Sequence, residues 1–336
     1  MKVSIVIPTL NSARTLPECL DAILAQDYPR EETEIIVADA GSSDATREIA
    51  ERKGVTAVVA NPLKTGEAGK TAGIKAATGE FIALIDSDNI LPDSGWLTRM
   101  MAPFAEPDIF ASEPIDYSCR TSDPALTRYF AHLGMNDPIC LFTGNYDRTC
   151  AVTGRWTDLP VPTQDKGGYL KLALSETALP TIGANGFIFR KDILDGLIWS
   201  PYFFDIDIVH QAVHAGRTGV AKVKTGIIHL YCARLSDFRS KQKRRIRDFL
   251  YFAQDKQRTY PWDKQKKTGI LLFALATVTV VPLLLQALRG YRRRPDSAWL
   301  YHVPVCWVTL FTYGTAVLCK LLGFKQTALN RSTWQK

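Results

Sequence analysis

The sequence lacks the cysteine patterns of a disulfide-stabilised or zinc-bound protein. Its seven cysteines are spread from Cys19 to Cys319, no two form a CxxC pair, and their number is odd. This distribution argues against a disulfide framework and structural zinc, and it is typical of a reducing compartment. Zinc-finger, RNP and basic-zipper patterns are missing too, so we expect no nucleic acid among the partners. The apolar stretch after Met1 is short and interrupted by Pro8, unlike a signal peptide.

The charge is divided unevenly along the 336 residues. Residues 1–230 contain 21 Lys and Arg against 29 Asp and Glu, whereas residues 231–336 contain 20 against 5. The net charges of the two parts are therefore −8 and +15. A basic segment beside long apolar runs suggests membrane lipids with anionic headgroups as its partner.

Short apolar runs alternate with amphipathic stretches near the N-terminus. This pattern predicts strands at 3–7, 34–39, 55–60 and 81–85, with helices at 13–26, 44–53 and 71–77 between them. The alternation indicates an α/β fold, namely a Rossmann-like, mostly parallel sheet with helices on both faces. Ligands bind at the carboxyl ends of such strands, where Asp39 and Asp86 fall.

Later elements are less regular. We predict helices near 124–133 and at 205–215, a strand after a glycine-rich turn within 181–190, and an extended segment at 220–229. The rest of 117–182 shows no clear element.

The basic tail resembles a membrane-associated segment. Residues 235–254 predict a basic amphipathic helix that suits an interface plane, although a solvated surface helix has the same pattern. Residues 269–288 and 297–319 carry no formal charge, and each is long enough for a hydrocarbon core of about 30 Å. A pair of buried core helices is the alternative.

The charges around these apolar segments conflict with two full crossings. Arginines between the segments (Arg289, Arg292, Arg293, Arg294) and lysines before them (Lys264, Lys266, Lys267) would lie on opposite sides of the membrane. Pro282 could instead bend the first segment into a re-entrant hairpin. We therefore predict two membrane-embedded helices and leave full crossing open.

The triplet Asp86-Ser87-Asp88, followed by Asn89, comes directly after the fourth predicted strand. Two carboxylates in this spacing can share Mn²⁺ or Mg²⁺ with substrate phosphates. Sugar transfer uses such a cation because a charged nucleoside diphosphate leaves. An Asx turn with solvated carboxylates is the alternative.

The triplet belongs to an ordered series of motifs. It follows SIVIPTLN at 4–11, IIVADAGSSD at 35–44 and the glycines at 73 and 79. Together these resemble the family 2 glycosyltransferases, whose catalytic domain has the GT-A fold. The resemblance is close over residues 2–115 and looser over 181–230. It implies an inverting enzyme that uses a nucleotide-sugar donor.

The resemblance implies roles for individual donor-site residues. The turn with Pro8, Thr9 and Asn11 should line the nucleotide pocket. Asp39 should accept a hydrogen bond from the base, although Ala40 replaces the usual second acid. Lys70 should lie near the phosphates, unless it is a surface lysine.

The later motifs complete this donor and metal site. Asp86 and Ser87 should contact the donor, and Asp86 and Asp88 should hold the metal. Asn185, in the TIGANG segment at 181–186, should lie beside the donor sugar, unless the segment is a plain turn. His229 should lie near the metal or diphosphate, unless it is structural.

The catalytic base is expected at the family's Glu-Asp motif. Asp205 occupies the Asp position and Phe204 replaces the Glu. Asp205 should take the acceptor proton, with Asp207 as the fallback, unless the carboxylate only caps a helix. Arg245 lies in a faint match to the QxxRW motif of processive synthases, where Ile246 replaces Trp. It should contact the diphosphate or face lipid, and processive polymerisation is not expected.

The sequence as a whole predicts a metal-dependent inverting glycosyltransferase for cell-surface glycan assembly. It should move one sugar to a lipid-linked or membrane-proximal acceptor, from the inner or another membrane, with its catalytic domain in the cytosol. The expected parts are the catalytic domain (1–230), a basic interface segment (231–267), two membrane-embedded helices (268–323) and a tail (324–336). A polyprenyl-phosphate glycosyl synthase, a non-catalytic membrane scaffold and a nucleotidyltransferase remain as alternatives.

Overall fold

Strands and helices alternate at the N-terminus. The computed structural model describes residues 1–254, 258–261 and 267–323 of the protein. The four strands of this stretch lie in the order β3-β2-β1-β4 and all run parallel, as the alternation predicts. Its elements are β1 (Val3–Thr9), α1 (Leu16–Leu24), β2 (Thr33–Asp39), α2 (Thr46–Arg52), β3 (Ala57–Ala60), α3 (Gly66–Ala76) and β4 (Phe81–Leu84).

Six further strands complete a mixed sheet. They are β5 (Asn89–Ile90), β6 (Ile109–Ser118), β7 (Thr163–Asp165), β8 (Tyr169–Ala173), β9 (Phe187–Arg190) and β10 (Gly219–His229). The order is β3-β2-β1-β4-β9-β6-β10-β8-β7, with β5 paired to β10. The α/β class is confirmed. The sheet is mixed rather than mostly parallel, because β9 enters antiparallel to β4 and β8 pairs antiparallel with β7 and β10.

The apolar spacing of the sequence forms the core around this sheet. Helix α1 buries Leu16, Cys19, Leu20 and Ile23, the face that the periodicity predicts. Helix α3 packs on β1, β2 and β3, and α4 (Trp96–Met101) packs on β10. Gly73 permits the close approach of α3, since a Cβ there would lie 2.3 Å from Cγ1 of Val6. The later helix α7 (Asp205–His214) is also present where predicted.

The chain forms two compact units. The first contains Met1–Asp116 and Pro160–His229, and the second contains Tyr117–Leu159 and Leu230–Lys336. The segment 117–159, which we expected within the catalytic domain, thus clusters with the C-terminal helices.

The second unit is mainly helical in its described part. Its helices are α5 (Ala125–Leu133), α6 (Ile139–Thr143), α8 (Leu235–Gln254), α9 (Lys267–Thr279), α10 (Val281–Arg293) and α11 (His302–Leu321). Its core joins Phe130 of α5, Phe238 of α8, Trp299, and Val305 of α11. Helix α8 covers the predicted basic amphipathic stretch. Residues 255–257 and 262–266 of the basic segment and the predicted tail at 324–336 lie outside the described residues.

The first apolar segment of the tail is broken in its middle. Helices α9 and α10 meet at an angle of 95°. Pro282 lies in the first turn of α10, where its missing N–H does no harm, and it would interrupt a longer helix. The bend that Pro282 predicts is therefore confirmed. Each arm has 13 residues, or about 20 Å of helix, which is shorter than a hydrocarbon core of about 30 Å.

The second apolar segment forms one long helix. Ser297–Leu321, which includes α11, is the single unbroken helix in the described ranges that is long and apolar enough to cross a membrane. Only 28% of its apolar window is buried, and Leu300, Phe311 and Leu318 are exposed. A buried core helix would cover these side chains, so that alternative does not fit this segment.

Candidate functional site

The parallel strands bring three predicted residues to one edge of the sheet. Thr9 ends β1 and pairs in register with Asp39, which ends β2. Asp86 follows the end of β4, which pairs with β1 in the same direction. Carboxyl ends of parallel strands share an edge, so these side chains gather in the first unit, as expected.

The Asp39 carboxylate organises the turn after β2. One oxygen, Oδ1, accepts from Thr9 Oγ1 at 3.1 Å and from Ser42 Oγ at 2.5 Å. The other, Oδ2, accepts from the backbone N–H groups of Gly41 and Ser42, both at 3.0 Å. Four donors match the roughly four lone-pair positions of a carboxylate. A bond from a nucleobase would have to replace one of them.

Asn11 joins the turn after β1 to the turn after β2. Its Oδ1 accepts from the Ser43 backbone N–H at 2.8 Å, and its own N–H donates to Ser42 Oγ at 2.9 Å. Its φ of +51° is a conformation that Asn adopts more readily than most residues. Pro8 lies under α3, because a Cβ on Gly69 would be 2.9 Å from Pro8 Cβ.

A cavity of about 190 Å³ opens beside Asp39, at the ends of β2 and β3. Its walls include Gly41, Val59 and Asn61, and the cations Arg47 and Lys64 also line it. Apolar walls with a few polar groups are typical of a small-molecule site.

The Asp86-Ser87-Asp88 triplet is held by its neighbours rather than left as a free turn. Asn89 is fully buried, and its Oδ1 accepts from the Asp86 backbone N–H at 3.0 Å. Its Nδ2 donates to Asn185 Oδ1 at 3.0 Å, which ties the triplet to the TIGANG segment. Ser87 Oγ donates to Ser12 Oγ at 2.9 Å.

His229 lies beside Asp88 because β5 pairs with β10. The register places His229 opposite Asn89. His229 Nε2 is then 3.6 Å from Asp88 Oδ1, a separation that one cation with bonds of about 2.1 Å can bridge. No group of three or more Cys, His, Asp or Glu in the described residues is arranged to hold a metal. Oxygen-bound Mg²⁺ often uses one or two carboxylates and completes its shell with water and phosphate.

Asp205 and Lys70 form a largely buried ion pair. Lys70 Nζ lies 2.7 Å from Oδ1 and 2.6 Å from Oδ2 of Asp205. Lys70 belongs to α3 and Asp205 begins α7. Lys70 is only 7% exposed, so the surface-lysine alternative is wrong. Asp205 does not cap its helix through its side chain, because Phe204 occupies the cap position without a side-chain bond.

The surroundings of Asp205 change its proton affinity. Burial raises the pKa of Asp205 from 3.8 to about 6, against the opposing effect of Lys70, and Asp86 and Glu67 add to the rise. Burial acts to lower the pKa of Lys70, but Asp205 and Asp86 outweigh it and raise that pKa. A carboxylate with a pKa near 6 is well matched to general-base work close to neutral pH. Asp207, the fallback base, is 3% exposed and thus more deeply buried than Asp205.

The TIGANG segment passes directly beside Asp205. Gly183 has a φ of +123°, and a Cβ there would lie 2.5 Å from Asp205 Cβ. Asn185 also has a positive φ, +53°. Gly186 N–H donates to the Leu84 carbonyl at the end of β4. The segment therefore links the triplet to the candidate base.

Arg245 lies in the second unit, where several groups hold its guanidinium. Its Nη1 donates to the Asn136 carbonyl at 3.2 Å and lies 3.5 Å from Asp137 Oδ2 and 3.4 Å from Gln242 Oε1. Its contact with a diphosphate stays a prediction.

Sequence reasoning missed a fully buried ion pair between Glu113 on β6 and Lys222 on β10. Glu113 also accepts from the Gly183 N–H at 3.0 Å. The signal that could have revealed Glu113 is an acid within the buried, mainly apolar first half of β6.

Comparisons with known proteins agree with the motifs. The model of the family described as "Glycosyl transferase family 2" matches residues 4–154. "Glycosyltransferase AglE" of Haloferax volcanii is 27% identical over 145 residues, which cover 41% of this chain and 47% of that protein. The poly(ribitol-phosphate) beta-glucosyltransferase of Bacillus spizizenii is 36% identical over 97 residues, or 27% of this chain and 15% of that protein. The chain thus spans less than half the length of these relatives.

A solved structure shows the same fold. The mannosyltransferase PcManGT from Pyrobaculum calidifontis, in complex with GDP-Man and Mn²⁺, superimposes with a TM-score of 0.55 at 16% identity. The match covers 96% of this chain and 88% of the other. The predicted GT-A fold is therefore confirmed. The family model covers residues 4–154, just under half of the chain. Together with the motif series and the shared fold, this match makes the chain similar to glycosyl transferase family 2.

Proposed function

We propose that the protein is a metal-dependent, inverting glycosyltransferase that moves one sugar from a nucleotide-sugar donor to an acceptor hydroxyl. The observation that carries this proposal is the buried Lys70–Asp205 pair beside Asp86 at the carboxyl edge of the sheet. Asp205 would be a general base of suitable pKa, Lys70 a cation that can bind phosphate, and the triplet that begins at Asp86 the acidic group that binds a metal.

The donor base would occupy the cavity beside Asp39. Thr9 and Asn11 fix the shape of its rim through their bonds to the turn after β2. Asp39 would then act mainly by holding that turn, since four donors already surround it. Pro8 supports the same rim from beneath α3.

Asp88, with Asp86 and His229 as its neighbours, would hold Mn²⁺ or Mg²⁺ together with the donor diphosphate. Oxygen and imidazole donors fit such cations, although imidazole favours Mn²⁺ over Mg²⁺. The cation would offset charge on the leaving diphosphate. Ser87 and Asn185 would orient the donor sugar from the loops that carry them.

Asp205 would act as the general base. It takes the proton of an acceptor hydroxyl while that oxygen forms a bond to the anomeric carbon. The bond from that carbon to the diphosphate oxygen breaks, and the nucleoside diphosphate leaves with the electron pair. A single displacement of this kind inverts the configuration. Lys70 acts to lower the pKa of Asp205 and so favours its ionised form before reaction. We propose that its ammonium also contacts the diphosphate.

The second unit would attach the enzyme to a membrane. The exposed apolar faces of α9, α10 and α11 and the basic face of α8 support this proposal. Attachment raises the effective concentration of a lipid-linked acceptor, as cell-surface glycan assembly would use. Seven free cysteines suit a cytosolic location.

We further propose that α9 and α10 enter and leave the same membrane leaflet, whereas α11 crosses. Thr268→Cys and Arg294→Cys test this with a membrane-impermeant thiol reagent on sealed vesicles. Each is made in a background in which the three cysteines that are not buried, Cys119, Cys140 and Cys319, are replaced by serine. Both introduced cysteines should react from the same side. Labelling from opposite sides would show that the α9–α10 pair crosses.

The central test is turnover of UDP-, GDP- and dTDP-sugars with Mn²⁺ or Mg²⁺. Asp88→Ala should abolish metal-dependent turnover, whereas Asp93→Ala, an exposed acid paired with Arg99, should not. Failure of every donor to bind or react would overturn the proposal. If Asp88→Ala left metal-dependent donor binding unchanged, the scaffold alternative would gain.

A further inference from the structure

Strands β6 and β10 bury a complete ion pair below the TIGANG segment. Glu113 and Lys222 are both 0% exposed, and Lys222 Nζ lies 2.5 Å from Glu113 Oε2. Removing both charges from water is unfavourable, and apolar residues of similar volume often stabilise a core as well or better. Stability alone is therefore a weak explanation for this pair.

The second carboxylate oxygen of Glu113 reaches the site. Its Oε1 accepts a hydrogen bond from the backbone N–H of Gly183 at 3.0 Å. A Cβ on Gly183 would lie 2.5 Å from Asp205 Cβ and 3.0 Å from its carbonyl carbon. The Gly183 backbone thus forms part of the wall against which Asp205 rests.

The far end of the same segment is anchored differently. Gly186 N–H donates to the Leu84 carbonyl, and Asn185 accepts from Asn89 in the loop of the acidic triplet. Glu113 supplies an anchor at the Gly183 end. A loosened Gly183 would leave the triplet side in place and free the side that contacts Asp205.

We infer that Glu113, with its charge offset by Lys222, is a positioning residue that fixes Gly183 and thereby the orientation of Asp205 toward the acceptor. This inference rests on the proposed role of Asp205 as the base. It adds a role in catalysis to two residues at the middle of the sheet, outside the loops that would touch substrate.

Two double variants that differ mainly in one hydrogen-bond acceptor test the inference. Glu113→Leu with Lys222→Met replaces the pair by apolar side chains, so neither charge is left buried alone. Glu113→Gln with Lys222→Met is equally uncharged but keeps a carbonyl oxygen for the Gly183 N–H. Kinetic constants, Tm and hydrogen exchange of the Gly183 amide are measured for both.

The leucine variant should show faster exchange at Gly183 and a kcat at least about tenfold lower, because small misplacements of a reacting group are costly. Its donor KM should change by less than about twofold, since the triplet side stays anchored. The glutamine variant should recover most of the kcat and the slow exchange. Equal kcat in the two variants would overturn the inference.

Two further variants keep the result interpretable. Should the leucine variant not fold, Glu113→Asp retains both charges and withdraws the carboxylate from Gly183; a wild-type kcat there would equally overturn the inference. Full transfer activity in Asp205→Asn would instead remove the proposed base. The exchange difference at Gly183 would still report whether Glu113 anchors the segment.

Discussion

Replacement of the candidate base, Asp205→Asn, is the most direct test of the proposed chemistry. The amide keeps the size of the side chain and removes its ability to take a proton. A positioned general base typically contributes about 10²- to 10⁴-fold to the rate. We therefore expect kcat to fall by at least about a hundredfold, while donor binding changes little, because Asp39 and the cavity beside it are untouched.

The wild-type pH profile gives a second measure of the same residue. With its pKa raised to about 6, Asp205 is about 90% ionised at pH 7 and about 10% ionised at pH 5. The rate should fall about tenfold for each pH unit below the pKa. Asp205→Asn should lose this acid limb. Initial rates from about pH 5 to about pH 9, with saturating metal, measure both effects.

The folding stability should change with pH in the opposite direction to the rate: it should rise as the pH falls. The raised pKa of Asp205 means that the folded state binds this proton more tightly than the unfolded state. Stability then rises as pH falls from about 6 toward 3.8, and the ionised carboxylate costs about 3 kcal/mol at neutral pH. Asp205→Asn has two opposing effects on stability. It removes the cost of the ionised carboxylate, but it also leaves the buried Lys70 without its charged partner. Because these effects partly cancel, the Tm should move by less than about 4 °C.

A matched control separates these effects from a general loss of structure. Asp192→Asn changes an exposed acid of the same unit, paired with Arg217, and should retain wild-type kcat. More than about a tenth of wild-type kcat in Asp205→Asn would refute a hydroxyl-accepting base mechanism. It would favour an acceptor that is already an anion, such as a polyprenyl phosphate. If kcat fell in Asp207→Asn and not in Asp205→Asn, Asp207 would be the general base.

Three other substitutions probe the same site. Gly183→Ala should lower kcat at least about tenfold, because its Cβ would meet Asp205. Gly196→Ala is the control, since Gly196 also has a positive φ but lies in open space. Equal kcat values in the two variants would contradict the reasoning. Lys70→Met should move the acid limb of the pH–rate profile to higher pH, because the ammonium lowers the Asp205 pKa. A limb that stays at the same pH would show that it does not report the ionisation of Asp205 beside Lys70. His229→Ala should weaken Mn²⁺ binding about tenfold or more, measured by isothermal titration, and unchanged affinity would exclude a metal contact.

Much of the first unit can be predicted because the spacing of apolar residues within each short segment determines whether that segment forms a strand or a helix. Apolar runs of fixed spacing give β1, α1 and α7, and parallel alternation then forces Asp39 and Asp86 to one edge. The antiparallel entry of β9 could not be read in this way. It depends on which free edge a strand meets, and that is decided by packing over the whole sheet.

The same limit explains the residues that sequence reasoning missed. Glu113 and Lys222 are 109 positions apart and meet only because β6 and β10 are neighbours. Lys224, two positions along β10 from Lys222, is 40% exposed and pairs with Asp165 on the rim. Spacing within one strand therefore does not distinguish the buried lysine from the exposed one.

Strand β10 ties together the two ends of the proposed site. Its last residue, His229, is fixed opposite Asn89 of β5, while Val223 is fixed opposite Tyr169 of β8. A slip of one residue would turn each side chain to the other face of the sheet. It would withdraw His229 from Asp88 and Lys222 from the carboxylate that anchors Gly183. The proposed metal site and the proposed base therefore depend on one strand register, which is fixed by the pairings of β10 with β5 and with β8. In this way a rigid sheet can hold the loops of the site in the geometry that the reaction requires.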